Sequence, residues 1–139
     1  MFRLIMAPVD LAHVARLERA PKVTGDLARH YGVPVCYVAV GAAAPSRLAH
    51  TPAEFAEKLA AFGRAQAEAH GIETTSHPVM SHDPVSDVDD ALIRALRETG
   101  ADLVVMASHI PDVTDRFWPS NAGKIMTHTA ASVFVVRAG

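Results

Sequence analysis

Four continuous apolar runs constrain this chain more than anything else in it: FRLIMAPV (2–9), VPVCYVAV (33–40), ADLVVMAS (101–108) and SVFVVR (132–137). A strand with one face in water alternates apolar and polar residues, whereas a strand covered on both faces need not. Such runs predict parallel strands sandwiched between helices. A fifth, weaker strand is expected at IETTSHPVM (72–80), which is rich in β-branched residues.

Helical patterns lie between the strands. Asp10 is placed to cap a short first turn. Pro21 would break a helix there but suits the first turn of a new one, running to about His30 with Gly32 as its stop. Thr51-Pro52-Ala53-Glu54 is a capping box with proline at the first helical position. Phe55, Leu59, Phe62, Ala65 and Ala69 follow at helical spacing, and Gly71 ends the helix. A third helix is expected from near Asp83-Pro84, with Val88, Leu92, Ala95 and Leu96 on one face and Gly100 closing it. A last helix covers roughly 120–130. This alternation predicts one α/β domain over 1–139, a doubly wound open parallel sheet with right-handed crossovers. GAAAPSRLAH (41–50) is its longest loop. Ligands bind such sheets beyond the carboxyl ends of the strands, at the switch point. Four segments are expected to converge there: Pro8-Val9-Asp10, Val40-Gly41, the turn near His82-Asp83, and Ala107 to Asn121.

The 139 residues, half of them hydrophobic and a fifth charged, suit a single packed core. A formal net charge of -2 offers no general attraction for nucleic acid or an acidic membrane. The one cysteine, Cys36, sits inside an apolar run and reads as a buried structural thiol in a reducing compartment. No secretion signal opens the chain, and no apolar run reaches the roughly 18 residues of a membrane span. A cytoplasmic protein is expected. Among the eight histidines, SHPVMSHD brings His77 and His82 close to Asp83, yet the spacing of a three- or four-ligand zinc site is absent. The Ser-His neighbours at 76–77, 81–82 and 108–109 are adjacent rather than convergent, and there is no G-x-S-x-G elbow. Neither a metal site nor a catalytic residue is expected.

With APVD after the first strand and ASHIPD…PSNAGKIMTHTAASVFVVR at the end, the chain resembles the universal stress protein family. The similarity spans essentially the whole chain and is strongest over 101–137, where it looks most like the branch carrying ASHRPD and GSNA. The resemblance implies five strands ordered 3-2-1-4-5 with helices on both faces, and a role in stress response. It also implies a homodimer joined through the last strand, here Val133, Phe134, Val135 and Val136. Many members bind ATP and others do not, and ATP, alone or with Mg²⁺, is the cofactor the resemblance implies here. Asp10 matches the family aspartate that touches the nucleoside, and Pro8, Val9 and Val40 match its apolar neighbours. Ala107, Ser108, His109, Ser120 and Asn121 fall on the segment that holds phosphate.

Nucleotide-binding members place three glycines along that segment. Here Ala107, Ile110 and Pro119 stand in their places, and the second spacing is one residue short. Ala107 adds only a methyl. Ile110 is β-branched and resists a left-handed conformation, and Pro119 has no N–H to donate and fixes φ. Ser120 is expected to cap the last helix, whose amino end still attracts an anion. Arg116 and Lys124 would add positive charge there, while Asp112 and Asp115 would oppose it. Phe117 and Trp118 are expected in the core, or else in the space of a triphosphate or on a dimer surface. The reading is a non-catalytic regulatory domain with weakened binding of ATP or another adenine nucleotide. Its rivals are a nucleotide-independent dimeric interaction module, working through the dimer surface and the 41–50 loop, and a slow nucleotide hydrolase.

Overall fold

The computed structural model of the chain describes residues 1–16, 19–82, 88–108 and 118–137. Five parallel strands form one sheet: β1 (Ile5–Pro8), β2 (Val35–Ala42), β3 (Thr74–Ser81), β4 (Leu103–Ala107) and β5 (Ser132–Val136). Their order is β3-β2-β1-β4-β5, as the resemblance implies. The helices are α1 (Arg19–Tyr31), α2 (Pro52–His70), α3 (Val88–Thr99) and α4 (Trp118–His128), with a 3-10 turn at Leu11–Arg16.

The continuous apolar runs are explained by two cores, one on each face of the sheet. Met6 joins Cys36, Val38, Val104 and Met106 beneath α3 and α4. Ile5 and Ala7 join Val35, Tyr37, Leu103 and Val105 beneath α1 and α2. Neighbouring residues of one strand thus feed opposite cores, so neither parity can be polar. Burial pushes the Cys36 thiol up, against a weaker opposing hydrogen bond from the Thr75 side chain.

Local chemistry sets the element ends. Thr51 Oγ1 accepts the Glu54 N–H at 3.1 Å, and Glu54 Oε2 accepts the His50 N–H at 3.3 Å, one residue before the usual capping-box partner. Gly71 closes α2 in the left-handed region, φ 63°, which side chains resist. Two of the boundaries that differ from the sequence reading bear on the site. β2 continues two residues past Val40, to Ala42, and the following loop is tied down by Ser46 N–H donating to the Ala49 carbonyl at 2.8 Å. α4 starts at Trp118, so Ser120 stands in its first turn and is not the cap. Pro119 accounts for this, because a first helical turn has no use for its missing N–H. The expected start of the third helix at Asp83-Pro84 lies outside the described residues, as does Phe117.

Asp102, just before β4, ties three strands together at their amino ends. Its carboxylate accepts the N–H of Arg3 at 3.1 Å and of Leu4 at 3.2 Å. Its N–H donates to the Leu4 carbonyl at 3.2 Å, and its carbonyl accepts the Ser132 N–H at 3.0 Å. Desolvation would raise this carboxyl, but the N–H donors and the Arg3 guanidinium outweigh it and hold the group below the usual carboxylate range.

The two sheet edges differ. β3 carries Pro78 in its middle, and His77 Nε2 bonds Glu98 Oε2 of α3 at 2.8 Å. A proline on an edge strand blocks pairing with another chain. β5 has no such guard, and Phe134 on it is 44% exposed. Among the described residues no helix is long and apolar enough to cross a membrane.

Tyr37 is 1% exposed, and its hydroxyl has no hydrogen-bond partner among the described residues. Burial pushes the phenol up to about 12. The ring meets Phe62 edge-on at 5.2 Å, a contact that phenylalanine would keep. An unpartnered buried hydroxyl costs about 1–3 kcal/mol of desolvation. Tyr37→Phe is therefore expected to leave stability unchanged or raise it by up to about 1 kcal/mol, read as a denaturation midpoint at unchanged slope.

Candidate functional site

The site begins with how β1 meets its neighbours. Against β2 its register runs the full strand, Ile5 to Val35 through Pro8 to Val38. Against β4 it covers only Ile5–Leu103 and Met6–Val104. Backbone direction explains the difference. Ile5 N–H donates to the Pro34 carbonyl at 3.1 Å and Val9 N–H to the Val38 carbonyl at 2.8 Å, so odd-numbered amides of β1 face β2. Even-numbered ones face β4, and there Pro8 has no N–H to give. The two central strands part above Met6. The chain winds outward from β1 to β3 on one side and from β4 to β5 on the other, so this parting is the topological switch point.

Asp10 lies at the mouth of that crevice. Its Oδ1 accepts the Ala12 N–H at 3.0 Å, as the expected cap of the turn, and its Oδ2 meets His13 Nδ1 at 3.0 Å. The carboxylate is nearly buried, with 8% of the side chain exposed against 28% for His13. Val9 is buried beside it, and Val40 is half-buried near the end of β2. On the far side Ala107 ends β4, half-buried, and the buried Ser108 donates its N–H to the Val136 carbonyl at 2.8 Å. The structure thus gathers Pro8, Val9, Asp10, Val40, Ala107 and Ser108 at the carboxyl ends of three adjacent strands. Ser120 and Asn121 belong to the first turn of α4. His109, Ile110, Asp112, Asp115 and Arg116 lie outside the described residues. Two cavities of about 360 and 320 Å³ open at the opposite, amino ends of the strands, beside Asp102 and beside Pro34.

Three features escaped the sequence reading. His13 is one, although an aspartate and a histidine three apart on a turn were visible as i,i+3 neighbours. The pairing of Lys124 Nζ with Asp89 Oδ2 of α3 at 3.4 Å is another, and it draws onto α3 a charge that was expected to face phosphate. The third is Gly41, inside β2 rather than in a loop, with the Phe55 ring laid over it.

A doubly wound α/β domain with a crevice between its first and fourth strands is what sequence and structure define together. The family model for the universal stress protein family matches residues 1–137, and the chain belongs to that family. It is 29% identical over 142 residues to Universal stress protein G of Salmonella typhimurium, covering 99% of this chain and all of that one. Its fold is similar to that of a universal stress protein solved in complex with cAMP, at a TM-score of 0.67 and 18% identity, over 99% of both chains. It is similar also to the universal stress protein from Archaeoglobus fulgidus in complex with dAMP, at a TM-score of 0.61 and 18% identity, over 97% of both.

Gly41 gives this end of the sheet a direct test. A Cβ there would stand 2.8–2.9 Å from three atoms of the Phe55 ring, too close for a rigid aromatic to accommodate. Gly41→Ala is expected to cost about 1–3 kcal/mol in reversible thermal unfolding. Gly123, on the exposed side of α4, has nothing within 4 Å of the added methyl. Gly123→Ala is the control and should stabilise by about 0.5–1 kcal/mol.

Proposed function

We propose that this chain is a regulatory domain that binds an adenine nucleotide in the crevice between β1 and β4, chiefly by its nucleoside end. The observation that carries this reading is the parting of the two central strands above Met6, with Asp10 held at the opening. Structures similar to this one hold cAMP and dAMP, so an adenine ligand with a single phosphate suits the reading. The phosphate end is poorly equipped. Ala107 and Pro119 replace two of the glycines that bring amides to an anion, and Lys124 is engaged by Asp89. The amino end of α4 remains as an anion-attracting element. ATP with Mg²⁺ is on this reading bound no better than AMP, and the domain acts by binding rather than by catalysis.

Calorimetric titration of protein stripped of host nucleotide tests this. AMP and MgATP are both expected to bind near or weaker than about 100 μM, roughly -5.5 kcal/mol, within about threefold of each other, and Asp10→Ala should abolish both. No heat at millimolar ligand would overturn the reading. MgATP binding more than tenfold tighter than AMP would overturn its emphasis on the nucleoside.

A second reading, compatible with the first, concerns assembly. We infer that two copies pair through β5. Among the described residues nothing guards its backbone edge, while Pro78 blocks the opposite edge, and the exposed Phe134 offers apolar surface beside it. A self-complementary contact of this kind closes as a two-fold dimer. Light scattering behind size exclusion is expected to give twice the 14.8 kDa chain mass. Phe134→Asp should shift it to the monomer at micromolar concentration without loss of helical circular dichroism. A wild-type monomer at that concentration would refute the pairing.

A further inference from the structure

At the amino ends of the strands, away from the crevice, a cavity of about 360 Å³ lies between the carboxyl ends of α3 and α4 and the residues leading into β1 and β4. That volume suits a small organic molecule. Leu96 and Ala131 give its walls apolar surface, and Arg3, Arg97, Asp102 and His128 give them charge or a titratable ring. The hydrogen-bonding groups around it are unequally spent. The acceptors are used. Asp102 takes the backbone N–H of Arg3 and of Leu4. Thr99 Oγ1 and the Gly100 N–H take the Ala95 and Leu96 carbonyls of α3 at 2.8 and 3.0 Å, and the Thr129 N–H takes the Ile125 carbonyl of α4 at 3.0 Å. The negative ends of both helices, which oppose an anion, are thus partly met by their own caps. The donors are not used. Arg97 has no hydrogen bond or ion pair among the described residues, because the adjacent Glu98 is turned toward His77 and Arg94, at 2.8 and 3.8 Å. The Arg3 guanidinium comes to 3.8 Å from Asp102 Oδ2, which is an ion pair but not a hydrogen bond. His128 spends Nδ1 on the Lys124 carbonyl at 3.0 Å, and Nε2 has no partner among the described residues.

We propose that this cavity is a second binding site, which takes the phosphomonoester of a small organic molecule between Arg3 and Arg97. Two guanidiniums with unspent N–H groups face one carboxylate there, so the cavity keeps a surplus of positive charge. A guanidinium is a planar fork that grips two oxygens at once. The two forks come from different elements, one ahead of β1 and one on α3. A phosphate carries three terminal oxygens on one atom and serves both forks, whereas a single carboxylate serves one. The cavity is larger than a phosphate needs, and Leu96 and Ala131 offer surface to the organic body. Both arginines are exposed, so each must be ordered on binding and the affinity is modest. The site lies at the other end of the sheet from the crevice, and nothing in it depends on nucleotide binding there.

The test titrates the full chain, isotope-labelled and at low salt, with glycerol 3-phosphate and follows the backbone amide shifts. The amides of Gly100, Ala101, Thr129 and Ala131 are expected to move together, half-saturating near about 1 mM, while those of Val9 and Ala107 at the crevice stay in place. Arg3→Gln and Arg97→Gln should each weaken binding by about tenfold, the scale of one hydrogen bond to a charged group. Both side chains are exposed, and an otherwise unchanged amide spectrum checks that each variant is folded. Arg64→Gln removes the same charge from α2, where Arg64 pairs with Glu57, and should leave binding as it was. No movement of the cavity amides at about 10 mM ligand overturns the inference. So does binding that survives in Arg97→Gln, or that falls equally in Arg64→Gln, since either makes it a general effect of charge. Succinate binding to the same amides as tightly as glycerol 3-phosphate overturns the assignment to phosphate.

Discussion

Everything in this fold is arranged around four residues of β1. Ile5 to Pro8 are all buried, they have a strand on each side, and they send side chains into both cores. Such a strand cannot tolerate polarity on either face, and its backbone must be hydrogen-bonded within the sheet. At its amino end the pairing is reinforced, because Asp102 binds the amides of Arg3 and Leu4 and joins β4 and β5 to the same point. At its carboxyl end the pairing is released toward β4, because Pro8 has no amide there. The sheet is clamped at one end and split at the other, and that asymmetry places the crevice.

The architecture was legible because a parallel sheet with both faces covered writes itself as uninterrupted apolar runs. The helix ends were legible where a single side chain decides them, as at Thr51, Glu54 and Gly71. The errors fell where more than one residue decides, whether distant or adjacent. β2 was expected to stop at Val40 because a glycine follows, and glycine suggests a turn. Gly41 is instead a strand residue that makes room for Phe55, fourteen positions on, and no local pattern carries that information. Ser120 looked like a cap because serine caps helices. Pro119 and Trp118 extend α4 ahead of it, since proline is as favourable in a first turn as serine is before one.

The candidate site was legible only in part, and for a related reason. Position after a strand identifies Pro8, Val9, Asp10, Ala107 and Ser108, since the carboxyl ends of doubly wound strands converge whatever residues they carry. What holds those residues is not positional. Asp10 reads from sequence as a cap, and it is one, through the Ala12 N–H. Its second bond, to His13, depends on a backbone bend at φ -131° that an aspartate and a histidine three apart do not announce. Lys124 likewise reads as a free cation on a helix near phosphate, until α3 brings Asp89 within 3.4 Å of it.

These partners change how the missing glycines weigh. Glycines in a phosphate loop supply amides, so replacing them removes grip from the phosphate end and leaves the nucleoside end untouched. At the mouth of the crevice both oxygens of Asp10 are engaged inside its own turn. If the crevice takes a nucleotide as proposed, a ligand with a long phosphate tail gains little over one with a short tail, because Ala107 and Pro119 stand where glycines would bring amides close and Lys124 is paired with Asp89. On the proposed reading, the sequence differences move the balance of recognition away from the charged end of the ligand. A domain of the proposed kind would respond to the total adenylate present more than to the number of phosphates it carries.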